Sequence, residues 1–124
     1  KVPDRVIDFI RTHHGTSLVF YFYKKQEALE GEVNEEDFRY PGPIPFSKET
    51  AILMMADSVE AASKSLKNPT FLIIDEFVER IIEGQIKGGQ FLNANITFKE
   101  IEAVKKILKQ KLVNIYHLRV EYPE

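Results

Sequence analysis

Apolar residues recur at helical spacing in three successive segments of the second half of the chain, and this pattern restricts the fold more than any other feature. In each segment an apolar residue returns every three or four positions, which places the set on one face of an α-helix. The stripes are Ile52, Met55, Val59, Ala62 and Leu66; then Ile74, Phe77, Val78, Ile81 and Ile82; then Ile101, Val104, Ile107, Leu108, Leu112 and Ile115. Such helices bury their apolar faces by packing against one another.

Local signals mark where these helices begin and end. Ser47 is a favoured N-cap residue, and Thr97–Glu100 has the spacing of a capping box. Asn68-Pro69 predicts the start between them, with the asparagine as cap and the proline in the first helical position. Gly88-Gly89 is expected to end the second of the three helices. The last helix is predicted to run to about Arg119.

The first half of the chain is also predicted to be helical, but with a long interruption. Pro3 suits a first helical turn, and Gly15 ends that helix. A second helix is predicted to start at Thr16 or Ser17 and to include "LVFYFYKKQEAL". The stretch from Gly31 to Phe46 should be irregular, because each of its three prolines removes a backbone donor. The predicted class is all-α, with about five helices and one long Pro-containing loop.

Composition excludes several kinds of protein. The 124 residues fit one domain, and the net charge of −2 gives no basic surface for a nucleic acid polymer. The chain has no cysteine, so a metal would have to be bound by His, Asp or Glu. No apolar run approaches the roughly 18–20 residues that span a bilayer. Because the chain begins without methionine, in a charged segment, we expect it to be part of a longer protein.

Two of the three histidines, His13 and His14, are adjacent and are followed by Gly15. Adjacent side chains on a helix diverge by about 100°, so two imidazoles can reach one side only where the backbone bends. A helix end at Gly15 would allow this bend. Two interpretations stay open at this point: a pair of metal ligands, or one half-exposed histidine beside one that packs against the core.

Asp57 is unusual because it lies within "AILMMADSVEAA", a strongly apolar helix, with Leu53 and Ala61 four residues away on either side. An ionised carboxylate in apolar surroundings needs a cationic partner or a metal. It could instead form a structural hydrogen bond to a helix end. Glu60, three residues on, is either a nearby second carboxylate or simply solvated.

The segment "FRYPGP", from Phe38 to Pro43, places a basic and an aromatic residue next to a rigid turn. Arg39 and Tyr40 could hold a phosphate and stack on a base. Alternatively, the segment is a stiff elbow in which Arg39 forms an ion pair. His117 stands alone near the end of the last predicted helix, and such a histidine is usually structural.

Three segments in this order and spacing carry a specific resemblance. "HHGTSLV", "FRYPGP" and "ADSVEAASKSL" resemble the cytoplasmic HD domain of the bacterial seven-transmembrane HD family, the PgpH-type cyclic di-AMP phosphodiesterases. The resemblance covers essentially the whole chain. It implies an all-α fold that is the second half of an HD domain, in the cytoplasmic part of an inner-membrane protein.

The resemblance also implies a metal centre. His13 and His14 match the paired histidine ligands of the family, and Asp57 matches its late aspartate ligand. The family's domain holds two divalent ions, manganese or iron. The His-Asp dipeptide that defines the family is missing from this chain, and so are its other early histidine ligands. We therefore expect weak metal binding or none by the 124 residues alone.

The function implied is hydrolysis of cyclic di-AMP to the linear dinucleotide by water that two metals activate. Arg39, Tyr40 and Lys64 are candidate substrate contacts. The alternatives are an HD phosphohydrolase for another nucleotide and a non-catalytic sensing or interaction domain. Because part of the domain is missing, we expect an uncovered apolar surface through which the chain self-associates.

Overall fold

The computed structural model describes residues 3–16 and 39–118. In these residues the regular structure consists of four helices: α1 (Asp4–Thr12), α2 (Lys48–Ser63), α3 (Phe71–Lys87) and α4 (Phe98–Ile115). The predicted all-α class is therefore confirmed. The second predicted helix, in 17–29, lies outside the described residues, and residues 41–46 are irregular as the prolines indicated.

Helices α2, α3 and α4 pack against one another around a single apolar core. All three predicted stripes contribute buried side chains to this core. Its members are Met55, Val59, Ile74, Phe77, Val78, Ile82, Ile101, Leu112 and Val113. Removal of this apolar surface from water is what holds the three helices together.

The predicted helix starts at Ser47 and Thr97 are confirmed. The Ser47 hydroxyl accepts a hydrogen bond from the Thr50 N–H at 3.2 Å. At Thr97 the capping box is complete: its hydroxyl accepts from the Glu100 N–H at 3.1 Å, and the Glu100 carboxylate accepts from the Thr97 N–H at 3.0 Å.

The prediction that Asn68 caps α3 is wrong. The cap is Thr70, whose hydroxyl accepts from the Ile73 N–H at 3.2 Å, and the helix begins at Phe71. Asn68 instead has a φ of 45°, in the left-handed region that asparagine tolerates, and Pro69 lies before the cap. Asn68 and Thr70 are both favourable cap residues, and the backbone conformation of the α2–α3 connection decides which of them caps the helix.

The prediction that α4 extends to Arg119 is also wrong, because this helix ends at Ile115. His117 takes a φ of 54°, and the Leu118 N–H donates back to the Val113 carbonyl at 3.1 Å. This is a Schellman C-terminus with histidine where glycine is usual. Tyr116 fixes the position of the end, because its hydroxyl donates to the Ser63 carbonyl of α2 at 2.9 Å.

A cluster of ion pairs joins α3 to α4. Lys105 has a side chain only 6% exposed, and its Nζ donates to Glu79 at 3.0 Å and to Glu102 at 3.1 Å. Lys109 donates to the other oxygen of Glu79 at 2.7 Å and to Asp75 at 2.9 Å. A lysine so deeply buried requires these carboxylates, because an unpaired buried charge is costly.

Among the apolar surfaces that the described residues leave uncovered, two bear on the site and its surroundings. A groove of about 370 Å³ runs between α2 and α4, and Ile52, Val104 and Ile107 are among the residues that line it. Val6, Ile7 and Ile10 on α1 are exposed as well. No helix in residues 3–16 and 39–118 combines the length and the apolar character that crossing a membrane requires.

Candidate metal centre

The paired histidines lie in a tight turn at the end of α1. His13 is the C-cap residue of the helix, and Gly15 follows with a φ of 52°. A side chain at Gly15 would be strained by this φ and would also collide with Gln90 and Met54. The bend predicted from the sequence is therefore present, and it brings the rings of His13 and His14 to a centroid separation of 4.0 Å.

The backbone of α1 selects the tautomer of His13. Its Nδ1 lies 2.8 Å from the Phe9 carbonyl oxygen and 3.1 Å from that of Ile10. Because a carbonyl oxygen can only accept, Nδ1 carries the proton, and the lone pair of the neutral ring is on Nε2. Ligating histidines commonly have this arrangement, in which the second ring nitrogen donates to a carbonyl.

His14 lies between an aromatic ring and a carboxylate. Its ring stacks on Tyr40, with centroids 4.3 Å apart and an interplanar angle of 11°. Its Nδ1 is 3.8 Å from the Oδ2 of Asp57. Burial lowers the pKa of His14 from its ordinary value, and the neighbouring His13 lowers it further, whereas Asp57 acts in the opposite direction. The net effect favours the neutral imidazole, which is the form that binds metal.

His13, His14 and Asp57 form a group whose candidate ligand atoms all lie within 4.8 Å of one another. Ligand atoms at about 2.0–2.2 Å from one ion are separated by at most about 4.4 Å, so the side chains need to move inward by only a few tenths of an ångström. Two imidazoles and one carboxylate also suit divalent manganese or iron chemically. The donor set therefore fits a divalent metal, although three ligands leave an octahedral ion half coordinated.

Asp57 is less buried than its apolar sequence context suggested. Its side chain is 42% exposed, so water can solvate the carboxylate. The residue lies on the edge of α2 that faces His14 rather than in the core. The expected apolar burial of Asp57 is therefore wrong, and it is the proximity of this carboxylate to the two histidines that makes it a candidate ligand. Glu60 is exposed and pairs with Lys64 instead.

The three candidate substrate residues occupy different places. Tyr40 is within the cluster, in contact with His14, and one face of its ring is already covered. Arg39 lies beside the turn, where its Nη1 donates to the Thr16 carbonyl at 3.2 Å. Lys64, the C-cap of α2, is seven residues beyond Asp57, about 10 Å along the helix axis. His117 is exposed and lies just after the C-terminal end of α4.

Thr16 is held by Gln90, a residue that no sequence motif indicated. Its backbone N–H donates to the Oε1 of Gln90 at 3.0 Å, across 74 positions of the chain. A glutamine after a glycine pair carries no local indication of such a contact. Only the fold, which brings the α3–α4 connection beside the end of α1, makes it visible.

Comparison with known proteins identifies the kind of domain. No protein-family profile matches the chain. A crystal structure of the Listeria monocytogenes phosphodiesterase PgpH HD domain in complex with cyclic di-AMP superposes with a TM-score of 0.84 at 42% identity, covering 93% of this chain and 54% of that one. A second structure of that HD domain gives a TM-score of 0.82. The chain thus has the fold of part of an HD domain.

Sequence comparison leads to the same protein. The chain is 46% identical over 124 residues to cyclic-di-AMP phosphodiesterase PgpH of Bacillus subtilis (strain 168), which covers 100% of this chain and 17% of that protein. It is 42% identical over 123 residues to PgpH of Listeria monocytogenes, again 17% of that protein. The resemblance to PgpH drawn from the three motifs is therefore confirmed, over a chain that spans about a sixth of these relatives.

Proposed function

We propose that the chain is part of a metal-dependent phosphodiesterase that hydrolyses cyclic di-AMP to the linear dinucleotide. The observation that carries this proposal is the group of His13, His14 and Asp57, with ligand atoms within 4.8 Å, in a chain 42–46% identical to PgpH. We further propose that the 124 residues form the C-terminal part of one HD domain. In the whole protein this domain would be cytoplasmic and attached to the membrane.

His13, His14 and Asp57 would hold part of a pair of manganese or iron ions. When bound, such ions supply an acidified water and neutralise phosphate charge. The chain's own contribution is to present the imidazoles in their neutral form. For His13 the Phe9 carbonyl fixes the tautomer, and for His14 the lowered pKa keeps the ring unprotonated. The remaining ligands would come from the rest of the domain, so the isolated chain should bind metal weakly.

The substrate residues would act at increasing distances from the metal ligands. Tyr40 holds the His14 ring by stacking, and the other face of its own ring could contact adenine. Arg39 lies next to the turn and could place a guanidinium N–H near a phosphate. Lys64, about two helical turns from Asp57, could reach only the second phosphate of a cyclic dinucleotide.

The uncovered apolar surfaces would pack against the remainder of the HD domain in the whole protein. The Listeria HD domain chain is nearly twice as long as the portion matched here, which supports such a covering. Without that remainder, the groove between α2 and α4 would lead copies of the chain to associate.

The decisive experiment is hydrolysis by the full-length protein loaded with Mn²⁺. Chromatography should show cyclic di-AMP converted to the linear dinucleotide, at least about tenfold faster than cyclic di-GMP. Chelation of the metal should stop the reaction, and Asp57→Asn should reduce the rate by orders of magnitude without unfolding the protein. Preferential hydrolysis of another nucleotide would redirect the proposal to a related phosphohydrolase. A folded, metal-loaded protein that hydrolyses none of them would overturn it.

A further inference from the structure

Gln90 has a backbone position fixed by the end of α3. Gly88 is the C-cap, and Gly89 has a φ of 72°, which glycine adopts without strain. The Gly89 N–H donates to the Ile86 carbonyl at 3.0 Å, and the Gln90 N–H donates to the Gln85 carbonyl at 3.1 Å. These two bonds form a Schellman motif, and Gln90 is its last residue. The glycine pair therefore orients Gln90 as well as ending the helix.

The side chain of Gln90 connects this helix end to the turn that carries the histidines. It is buried, with only 3% of the residue exposed. Its Oε1 accepts from the Thr16 N–H at 3.0 Å, and its Nε2 donates to the Thr16 hydroxyl at 3.0 Å and to the Gly88 carbonyl at 3.3 Å. Both ends of the amide are thus satisfied, which a buried glutamine requires.

Thr16 is held on all of its polar groups. Gln90 binds its N–H and its hydroxyl, and Arg39 donates to its carbonyl at 3.2 Å. Thr16 comes two residues after His14, and the intervening Gly15 leaves no room for a side chain against Gln90. Gln90, Thr16 and Arg39 together form what we call the Thr16 clasp.

The clasp matters because, in the part of the chain that the structure describes, α1 makes few contacts with the other helices. The extensive helix packing in the described residues is among α2, α3 and α4, and Val6, Ile7 and Ile10 of α1 are exposed. Within the described residues, the contacts that locate the histidine turn relative to Asp57 on α2 are those of the turn itself. Gln90 forms two buried hydrogen bonds with Thr16, so it fixes the direction of the turn as well as its distance from α3.

We infer that Gln90 is a positioning residue for the metal-binding histidines, acting through Thr16. This inference rests on the proposed metal role of the pair. An amide is suited to the task because it offers one acceptor and one donor to the same residue. Glutamate would lack the donor, and methionine, of similar length, would lack both.

The inference can be tested in the intact HD domain, since the corresponding domain of the Listeria relative crystallises on its own. The variants are Gln90→Met, Thr16→Val and Thr16→Ser, with Val113→Ala as a control in the core of α4. Mn²⁺ affinity is measured by titration with electron paramagnetic resonance. The tautomers of the histidine rings are measured in the metal-free domain by nitrogen-15 NMR.

Gln90→Met should weaken Mn²⁺ binding by about 10–100-fold, the range typical of lost support for a ligand. It should also shift the tautomer balance of His14, whose Nδ1 faces the Oδ2 of Asp57 at 3.8 Å across the turn, whereas His13, bonded within α1, should stay Nδ1-protonated. Thr16→Val should weaken binding less, and adding it to Gln90→Met should give little further loss, because both variants break the same contact. Thr16→Ser, which keeps the hydroxyl, should stay within about twofold of the parent.

Val113→Ala should lower the melting temperature without changing Mn²⁺ affinity or the histidine tautomers. If Gln90→Met lowers the melting temperature in the same way and leaves both readouts unchanged, Gln90 only stabilises the fold and the inference is wrong. Should Gln90→Met fail to fold, the contrast between Thr16→Val and Thr16→Ser decides the matter by the same readouts. Absence of cyclic di-AMP hydrolysis in the parent domain would overturn the proposed function, but not the inference.

Discussion

The three-helix bundle and the histidine turn are held in place by different kinds of interaction. The bundle of α2, α3 and α4 buries a shared apolar core, has a capped start on each helix and is joined by ion pairs to the buried Lys105. The turn at residues 13–16 depends on a few polar contacts and a stacked ring. Stability and metal binding should therefore be separable by mutation, since the residues that supply one contribute little to the other.

The largest expected effect is on activity and comes from the turn. In the intact domain, His13→Ala or His14→Ala should each remove at least one metal ion and reduce turnover by about 100-fold or more. The melting temperature should change little, because both side chains are only partly buried. Metal content by elemental analysis, turnover of cyclic di-AMP and thermal unfolding measure the three quantities on the same sample.

His117→Asn is the matched control for these variants. Asparagine tolerates the positive φ at this position, so the end of α4 is preserved, and metal content and turnover should stay at the parent level. Full metal content in both His13→Ala and His14→Ala would contradict the metal assignment. An effect from one histidine alone would make the other a substrate or support contact.

The acid sensitivity of metal binding follows from the lowered pKa of His14. Because burial and His13 lower this pKa, the neutral imidazole persists to lower pH than for an ordinary histidine. When no metal is bound, the unfolded chain protonates the His14 ring at a higher pH than the folded chain does, as pH falls through about 6.5. The contribution of His14 to stability is therefore present above that pH and declines from there towards its lower folded pKa.

The sequence predicted local features better than contacts between distant segments. Helix ends that depend on neighbours within five residues could be predicted from the sequence. These are the caps at Ser47 and Thr97 and the glycine pair after α3. The end of α4 was misplaced because a left-handed histidine terminates the helix, assisted by the bond from Tyr116 to α2. That bond spans 53 positions, and no local pattern contains it.

The candidate site shows the same division. His13, His14 and Asp57 were singled out by an unusual pair and by a charge in an apolar helix, and the structure brings them together. Gln90 was missed because glutamine is common and its partner is 74 positions away. The exposure of Asp57 was misjudged because apolar neighbours along a helix do not reveal whether another element covers its edge.

A smaller effect, on stability alone, should come from the ion pairs of the bundle. The hydrogen bond from Lys109 lowers the pKa of Glu79 most, burial opposes the shift, and Lys105 lowers it further. Glu79→Gln should destabilise the fold at pH 7 by up to about 1 kcal/mol, because water screens a carboxylate that is 41% exposed and each lysine keeps a second carboxylate. Mn²⁺ affinity should not change, because the cluster lies on α3 and α4.

The pH dependence distinguishes this cluster from a general charge effect. A lowered carboxyl pKa adds stability above about pH 4.5, the ordinary value, and that stability is lost as pH falls towards the folded value. The difference between the parent and Glu79→Gln should therefore shrink on acidification below pH 4.5. Glu83→Gln, which removes an exposed carboxylate from the same helix, should leave the stability at pH 7 nearly unchanged. Equal effects of the two variants would mean that the buried lysine gains nothing specific from Glu79.

The smallest expected effect concerns the uncovered groove. Ile107 lines the groove between α2 and α4 and is 59% exposed. If the isolated chain associates through this surface, Ile107→Glu should reduce the associated fraction in analytical ultracentrifugation, because a charge in an apolar contact is costly. Ala103→Glu adds the same charge to an exposed position on α4 outside the groove and should leave association unchanged. In the intact domain, where the rest of the domain is proposed to cover the groove, Ile107→Glu should instead lower the melting temperature. An isolated chain that is monomeric at about 100 μM, together with an intact domain indifferent to Ile107→Glu, would show that this face is simply exposed to water.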